Sequence, residues 1–161
     1  MQQRRRSYLY ATHLPNKVEL LVCAETAARE PMGTFTTALV RHLKARGKTA
    51  SGIVFSPEFV TAGGFDLFFA GRGGADLQDM PMSRMGSRLF LARVSNSVKR
   101  GTSAAGLFTA SVVVTFSILS SDDGSVVDGF ELKAAGAGTS ETDSVSQGLE
   151  RILEMLGQHG Y

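Results

Sequence analysis

The chain has no tryptophan, one cysteine and three histidines in 161 residues. With a single cysteine, Cys23, no internal disulfide can form. Cys23 with His13, His42 and His159 offers none of the close spacings that hold zinc or an iron–sulfur cluster, so no metal and no other cofactor is expected. Cys23 lies in the apolar run "VELLVCA", where a thiol reads as a small buried hydrophobe. No run approaches eighteen apolar residues, which leaves no transmembrane helix to expect. "MQQRRRSYLY" has the basic start of a signal peptide but lacks the apolar stretch that must follow. Read at face value the chain is cytoplasmic, and a chain whose export signal has been removed would read the same way.

Catalytic patterns are equally scarce. There is no Gly-x-Ser-x-Gly elbow, and no lysine follows the glycines of "AAGAGTSET" as a Walker loop requires. A dinucleotide fingerprint would need glycine at position 141, where Glu141 would instead repel a pyrophosphate. The carboxylates Asp122, Asp123 and Asp128 gather at a turn, where aspartate is expected for turn chemistry alone. No catalytic residue is assigned and the chain is expected not to be an enzyme.

What is present is ordinary for one folded domain: 43% hydrophobic and 20% charged residues over a length that supports one core. A single α+β domain over 1–161 is expected, with a basic arm over about 1–16. The charge is unevenly placed. Residues 1–100 carry 15 Lys/Arg against 7 Asp/Glu, whereas residues 101–161 carry 2 against 8. Such polarity suits head-to-tail self-association or a protein partner, and its basic part could also follow a nucleic-acid backbone.

Periodicity supplies the elements. "KVELLVC" alternates as a strand. A helix opens at Pro31, buries Phe35, Leu39 and Leu43 at four-residue spacing, and ends at Gly47 after basic Arg41, Lys44 and Arg46. "SGIVF" (51–55), "FDLFFAG" (65–71) and "SRLFLARVSNSVK" (87–99) read as strands. "FTASVVVTFSI" alternates with one dry and one wet side, turns at Asp123-Gly124, and returns through "VVDGFELKA" as a hairpin. The glycines of 134–138 then read as a handover to a helix over 141–156, capped by Ser140 with Asp143 three residues on. The order predicts an α+β two-layer sandwich, a mostly antiparallel sheet with two helices on one face.

The residues 71–86 are expected to form a long loop with Gly71, Gly73, Gly74, Gly86, Pro81 and three methionines. Methionine adapts to irregular partner surfaces, so Arg72, Leu77, Met80, Met82, Arg84, Met85 and Arg88 are the expected partner-binding residues. The phenylalanines fall in predicted core elements rather than interleaved with the basic residues, which places nucleic acid second to protein as the expected partner.

The helix ending "LKARG", the segment "FDLFFAG" and the hairpin "DGSVVDGFELKAAGAGTS" before a terminal helix resemble, over about 17–157, a module of Gram-negative envelope proteins. Examples are the periplasmic domain of the curli secretion channel, lipoprotein activators of penicillin-binding proteins, a flagellar outer-membrane accessory protein and the Tol protein N-terminal domain. The resemblance implies a non-enzymatic adaptor or assembly role in the periplasm or envelope, with binding through sheet edges and loops. The chain departs from that pattern in having no export signal and no cysteine placed for acylation.

Overall fold

The computed structural model describes residues 9–10, 17–73, 85–101 and 106–161. In chain order the elements are β1 (Leu9–Tyr10), β2 (Val18–Thr26), α1 (Gly33–Ala45), β3 (Ala50–Gly52), β4 (Val54–Phe55), α2 (Pro57–Thr61), α3 (Gly64–Phe69), β5 (Gly86–Arg100), β6 (Phe108–Ser120), β7 (Val126–Gly138) and α4 (Glu141–Gln158). The expected α+β class holds. Five strands form one open sheet in the order β3-β2-β5-β6-β7, and β1 pairs separately with β4. The long β5–β6 and β6–β7 ladders are antiparallel, whereas β2 runs parallel to both β3 and β5.

Both long helices cover one face, as the periodicity predicts. Leu20, Val22 and Ala24 of β2, Phe90, Ala92 and Val94 of β5, and Val112, Val114 and Phe116 of β6 meet Phe35, Leu39 and Leu43 of α1 and Ile152 and Leu156 of α4. Gly47 ends the first helix at φ +84°, and Gly124 makes the hairpin turn at φ +74°. Both positions need the left-handed region that glycine enters without steric cost.

The segment "FDLFFAG" is not a strand. It forms α3, preceded by Gly63 at φ +82°. Phe65 and Phe68 stand three apart and both are buried, which a helix achieves and a strand, with its alternating faces, does not. Aromatic β propensity misleads here because the burial of these rings is tertiary. "SGIVF" likewise divides. β3 stops at Gly52, Ile53 turns inward, and β4 pairs with β1. A turn of helix not foreseen, α2, follows with Pro57 in its first turn and Ser56 Oγ accepting from the Phe59 N–H at 3.3 Å.

These short helices roof the lower half of the second sheet face, where Leu21, Cys23, Leu89, Leu91 and Leu119 pack against Phe55, Phe59, Phe65 and Phe68. The wet side of β6 therefore dries along its length. Ser111 is exposed, whereas Ser117 is buried and its hydroxyl donates to the Phe69 carbonyl at 2.8 Å. No described helix is long and apolar enough to cross a membrane.

Candidate functional site

The glycine-rich stretch resolves as the end of β7 followed by a helix cap. Ser140 Oγ accepts from the Asp143 N–H at 3.1 Å, and the Thr139 hydroxyl donates to the Asp143 carboxylate at 3.2 Å. The helix N-terminus is thereby filled by its own side chains. The glycines serve packing: a β-carbon on Gly136 would lie 2.0 Å from the Ser144 carbonyl oxygen, and one on Gly148 would lie 2.6 Å from Val112 Cγ2. α4 rests on β7 at backbone distance, and its side chains also reach the strand's outer edge. Gln147 Oε1 accepts from the Ala137 N–H at 2.6 Å, and Arg151 donates to the Ala135 carbonyl at 2.7 Å. The upper part of the β7 edge is thus occupied from within the chain, a protected edge rather than an open template.

Between α1 and α4 runs a groove of about 630 Å³. Phe35, Ala38, Val98, Val145, Leu149 and Leu153 supply its apolar lining, and Glu141 and Glu150 stand among the α4 residues that border it. Arg41, Lys44 and Arg46 are exposed towards the C-terminal end of α1, and Glu141, Asp143, Glu150 and Glu154 are exposed on α4 together with Arg151. Part of the charge asymmetry of the sequence thus lies on two neighbouring helices, with acidic residues of α4 at the groove and the cations of α1 beyond its lining.

On the opposite face lies a cluster that periodicity alone leaves unassigned. Glu25 and Arg93 are register partners on parallel strands β2 and β5, at the row where the apolar column Leu21–Cys23 and Leu89–Leu91 ends. Arg93 donates to Glu25 Oε1 at 2.8 Å and makes a short contact with Asp66 of α3; Arg29 pairs with Asp66 at 2.9 Å. The Arg93 guanidinium also lies over the Phe69 and Phe65 rings, 4.9 and 5.4 Å from their centroids. Arg29 adopts φ +67°, a left-handed conformation uncommon outside glycine, in the turn that brings it to Asp66. The cluster ties α3 to the sheet.

The two sides of the Glu25–Arg93 pair respond differently to burial. Glu25 is 2% exposed, and desolvation, only partly offset by Arg93, raises its carboxyl above the ordinary range. Arg93 keeps 28% exposure and faces two carboxylates, which outweigh its own desolvation and hold it charged. A carboxyl with a raised folded pKa stabilises the fold fully below the unfolded value, and that contribution is lost as pH rises through the folded value. Glu25→Gln should therefore gain stability relative to the parent as pH rises above the ordinary glutamate value of about 4.3. Paired urea melts over that rise check the sign, and a parallel offset at every pH would refute it. Beside Glu25, burial and the carboxylate's charge push the Cys23 thiol up to about 12. It stays protonated at neutral pH and is a poor nucleophile there.

Of the sequence-selected contact residues, Arg72 is exposed just after α3, and Met85 is half-buried against the second core. Arg88 is exposed on β5, where it borders a polar depression with Lys48, Asp128 and Tyr161. Leu77, Met80, Met82 and Arg84 lie outside the described residues. Arg72 and Arg88 stand on different elements, after α3 and on β5. The Glu25–Arg93 cluster was missed although one signal was available: each charge interrupts an apolar alternation at a position that continues the buried side.

No family model matches the chain, and no curated protein does. Among solved structures it is similar to a PelC dodecamer subunit from Paraburkholderia phytofirmans, at 16% identity and a TM-score of 0.50, over 88% of this chain and 89% of that one. It is also similar to a Xanthomonas campestris protein of family DUF330, at 12% identity and a TM-score of 0.50, over 91% of this chain and 87% of that one. At these identities the likeness is one of fold.

Proposed function

We propose that the chain is a non-catalytic assembly module that associates with copies of itself, as part of the bacterial cell envelope. The observation that carries this reading is the α1–α4 face, where an apolar groove is bordered by Glu141 and Glu150 of α4 and the exposed cations Arg41, Lys44 and Arg46 stand further along α1. Such a surface is complementary to its own copy when the basic helix of one meets the acidic helix of the next. Taken head to tail, with α1 of each copy against α4 of the next, the contact is heterologous and closes into a ring if the rotation permits. The whole face meeting itself about a two-fold axis closes as a dimer instead. The shared fold with a PelC subunit, which forms a dodecamer, supports self-association, and the resemblance of the hairpin to envelope modules supports the compartment. The occupied upper edge of β7 points association to the helical face rather than to strand addition there.

The residues of 71–86 with Arg88 remain the proposed second contact, for a different protein. Nucleic acid fits less well, because the acidic exposed residues of α4 stand beside the basic helix and would repel a phosphate backbone.

Sedimentation velocity in low and high salt tests the proposal. Assemblies larger than a monomer are expected at about 50 mM salt and should dissociate towards 1 M, as charges on a partly exposed interface are screened. Glu150→Lys should abolish assembly at every salt concentration, and mixing it with Arg41→Glu should restore mixed complexes. A monomer under all conditions would remove the proposal.

A further inference from the structure

A cavity of about 130 Å³ opens beside the Glu25–Arg93 cluster, between the end of β2, the turn carrying Arg29, and helices α2 and α3. Phe55, Phe65, Val60, Pro31 and Pro57 supply its apolar walls, and Glu25, Cys23, Arg29 and Thr61 its polar positions. The self-association face lies on the other side of the sheet, so the cavity is independent of it.

We propose that this cavity binds a small neutral aromatic molecule bearing one hydrogen-bond donor, a ring of the phenol class. Three properties select that class. The volume is close to the ~150 Å³ of an engineered apolar cavity that takes up benzene, so a single ring fits and a fused system does not. Two of the walls are aromatic rings, Phe55 and Phe65, which favour edge-to-face or offset contact with a third ring. Glu25, itself 2% exposed, also lines the wall. An ionised carboxylate accepts several hydrogen bonds, and Arg93 takes one on Oε1. A hydroxyl entering the cavity meets an acceptor there, whereas a bare hydrocarbon leaves that capacity unused.

Charge excludes the ionic alternatives. The two acids Glu25 and Asp66 are balanced by Arg29 and Arg93, all joined in one network. A carboxylate ligand would meet Glu25 at close range, and an ammonium ligand would add a third positive charge beside Arg29 and Arg93. A neutral donor disturbs neither pair.

Phenol and toluene have nearly the same shape and differ in the hydroxyl, so they form the test pair. Each is titrated into the ¹⁵N-labelled full chain, following the amides of Glu25, Val60, Thr61 and Phe65. Phenol is expected to shift these signals saturably, roughly five- to ten-fold more tightly than toluene, the worth of one hydrogen bond. Intermolecular nuclear Overhauser effects should connect its ring to the Val60 methyl groups. Val60→Phe, which fills the cavity from α2, should abolish the shifts while leaving the spectrum of β6 and β7 unchanged. Should that variant fail to fold, the contacts to Val60 in the parent chain decide the location by themselves. Equal affinity for toluene, saturable shifts without contacts to Val60, or no saturable binding would each overturn the proposal.

Discussion

Gly136→Ala should destabilise the protein by about 3 kcal/mol or more, although it adds one methyl group to a strand in which alanine is otherwise well tolerated. The added carbon would sit 2.0 Å from the Ser144 carbonyl oxygen and 2.5 Å from the Gly148 nitrogen, both backbone atoms of α4. Neither can swing aside as a side chain would. The whole helix must lift, and with it Ile152 and Leu156, which are fully buried against the sheet. Overpacking a well-filled interior costs typically about 1–3 kcal/mol, and a clash with backbone belongs at or above the top of that range. Since domains of this size are stable by about 5–15 kcal/mol, such a loss is a large share of the total. Gly129 provides the control on the same strand: the nearest atom an added β-carbon would meet is the Phe116 carbonyl oxygen at 3.7 Å, so Gly129→Ala should be close to neutral. Gly148→Ala should fall between the two, because Val112 Cγ2 at 2.6 Å belongs to a side chain with some freedom to yield. Thermal and urea unfolding of the three variants give the ranking. Equal effects at positions 129 and 136 would show that α4 does not rest on β7 at backbone distance.

Arg93→Met should cost about 3 kcal/mol, the lower part of the range for removing one partner of a buried ion pair. Met retains much of the packing beneath Phe65 and Phe69, so the loss arises chiefly from Glu25. With 2% exposure, that carboxylate keeps little access to solvent to replace the guanidinium. Arg93 is itself 28% exposed, which keeps the expected cost from the upper end. The double variant Glu25→Leu with Arg93→Met should recover most of the stability, because two apolar residues of suitable volume need no pairing. Acidification gives a second signature. Removing the arginine raises the Glu25 carboxyl further, so Arg93→Met should be least harmful at low pH, where Glu25 is neutral. A single variant as stable as the parent at pH 7 would mean that the cluster contributes nothing to holding α3 on the sheet.

The long helices, the β6–β7 hairpin and the cap at Ser140 could be read from the residues because each is specified locally. The stripe Phe35, Leu39, Leu43 lies within one helix, the alternation of 108–118 within one strand, and Asp123-Gly124 within one turn. Where burial depended on distant elements, the same reading failed. "FDLFFAG" carries strand-favouring aromatics, yet Phe65 and Phe68 are buried together under α3, a result of where the β2–β5 face lies. Gly136 reads as part of a handover, whereas its role with Gly148 is to let two backbones touch, a property of the pair rather than of either segment.

The residues alone determined the α+β class, the helices on one face, the hairpin and the unequal division of charge. The tertiary structure decided that α1 and α4 stand side by side with an apolar groove between them, that the second sheet face is half roofed, and that Glu25 meets Arg93 across 68 positions of chain. Local order is encoded at the spacing of neighbouring residues, 2 or 3.6 along the chain. The register of β2 against β5 is set by the burial of both strands at once, and only that register turns two isolated charges into a pair beside a cavity.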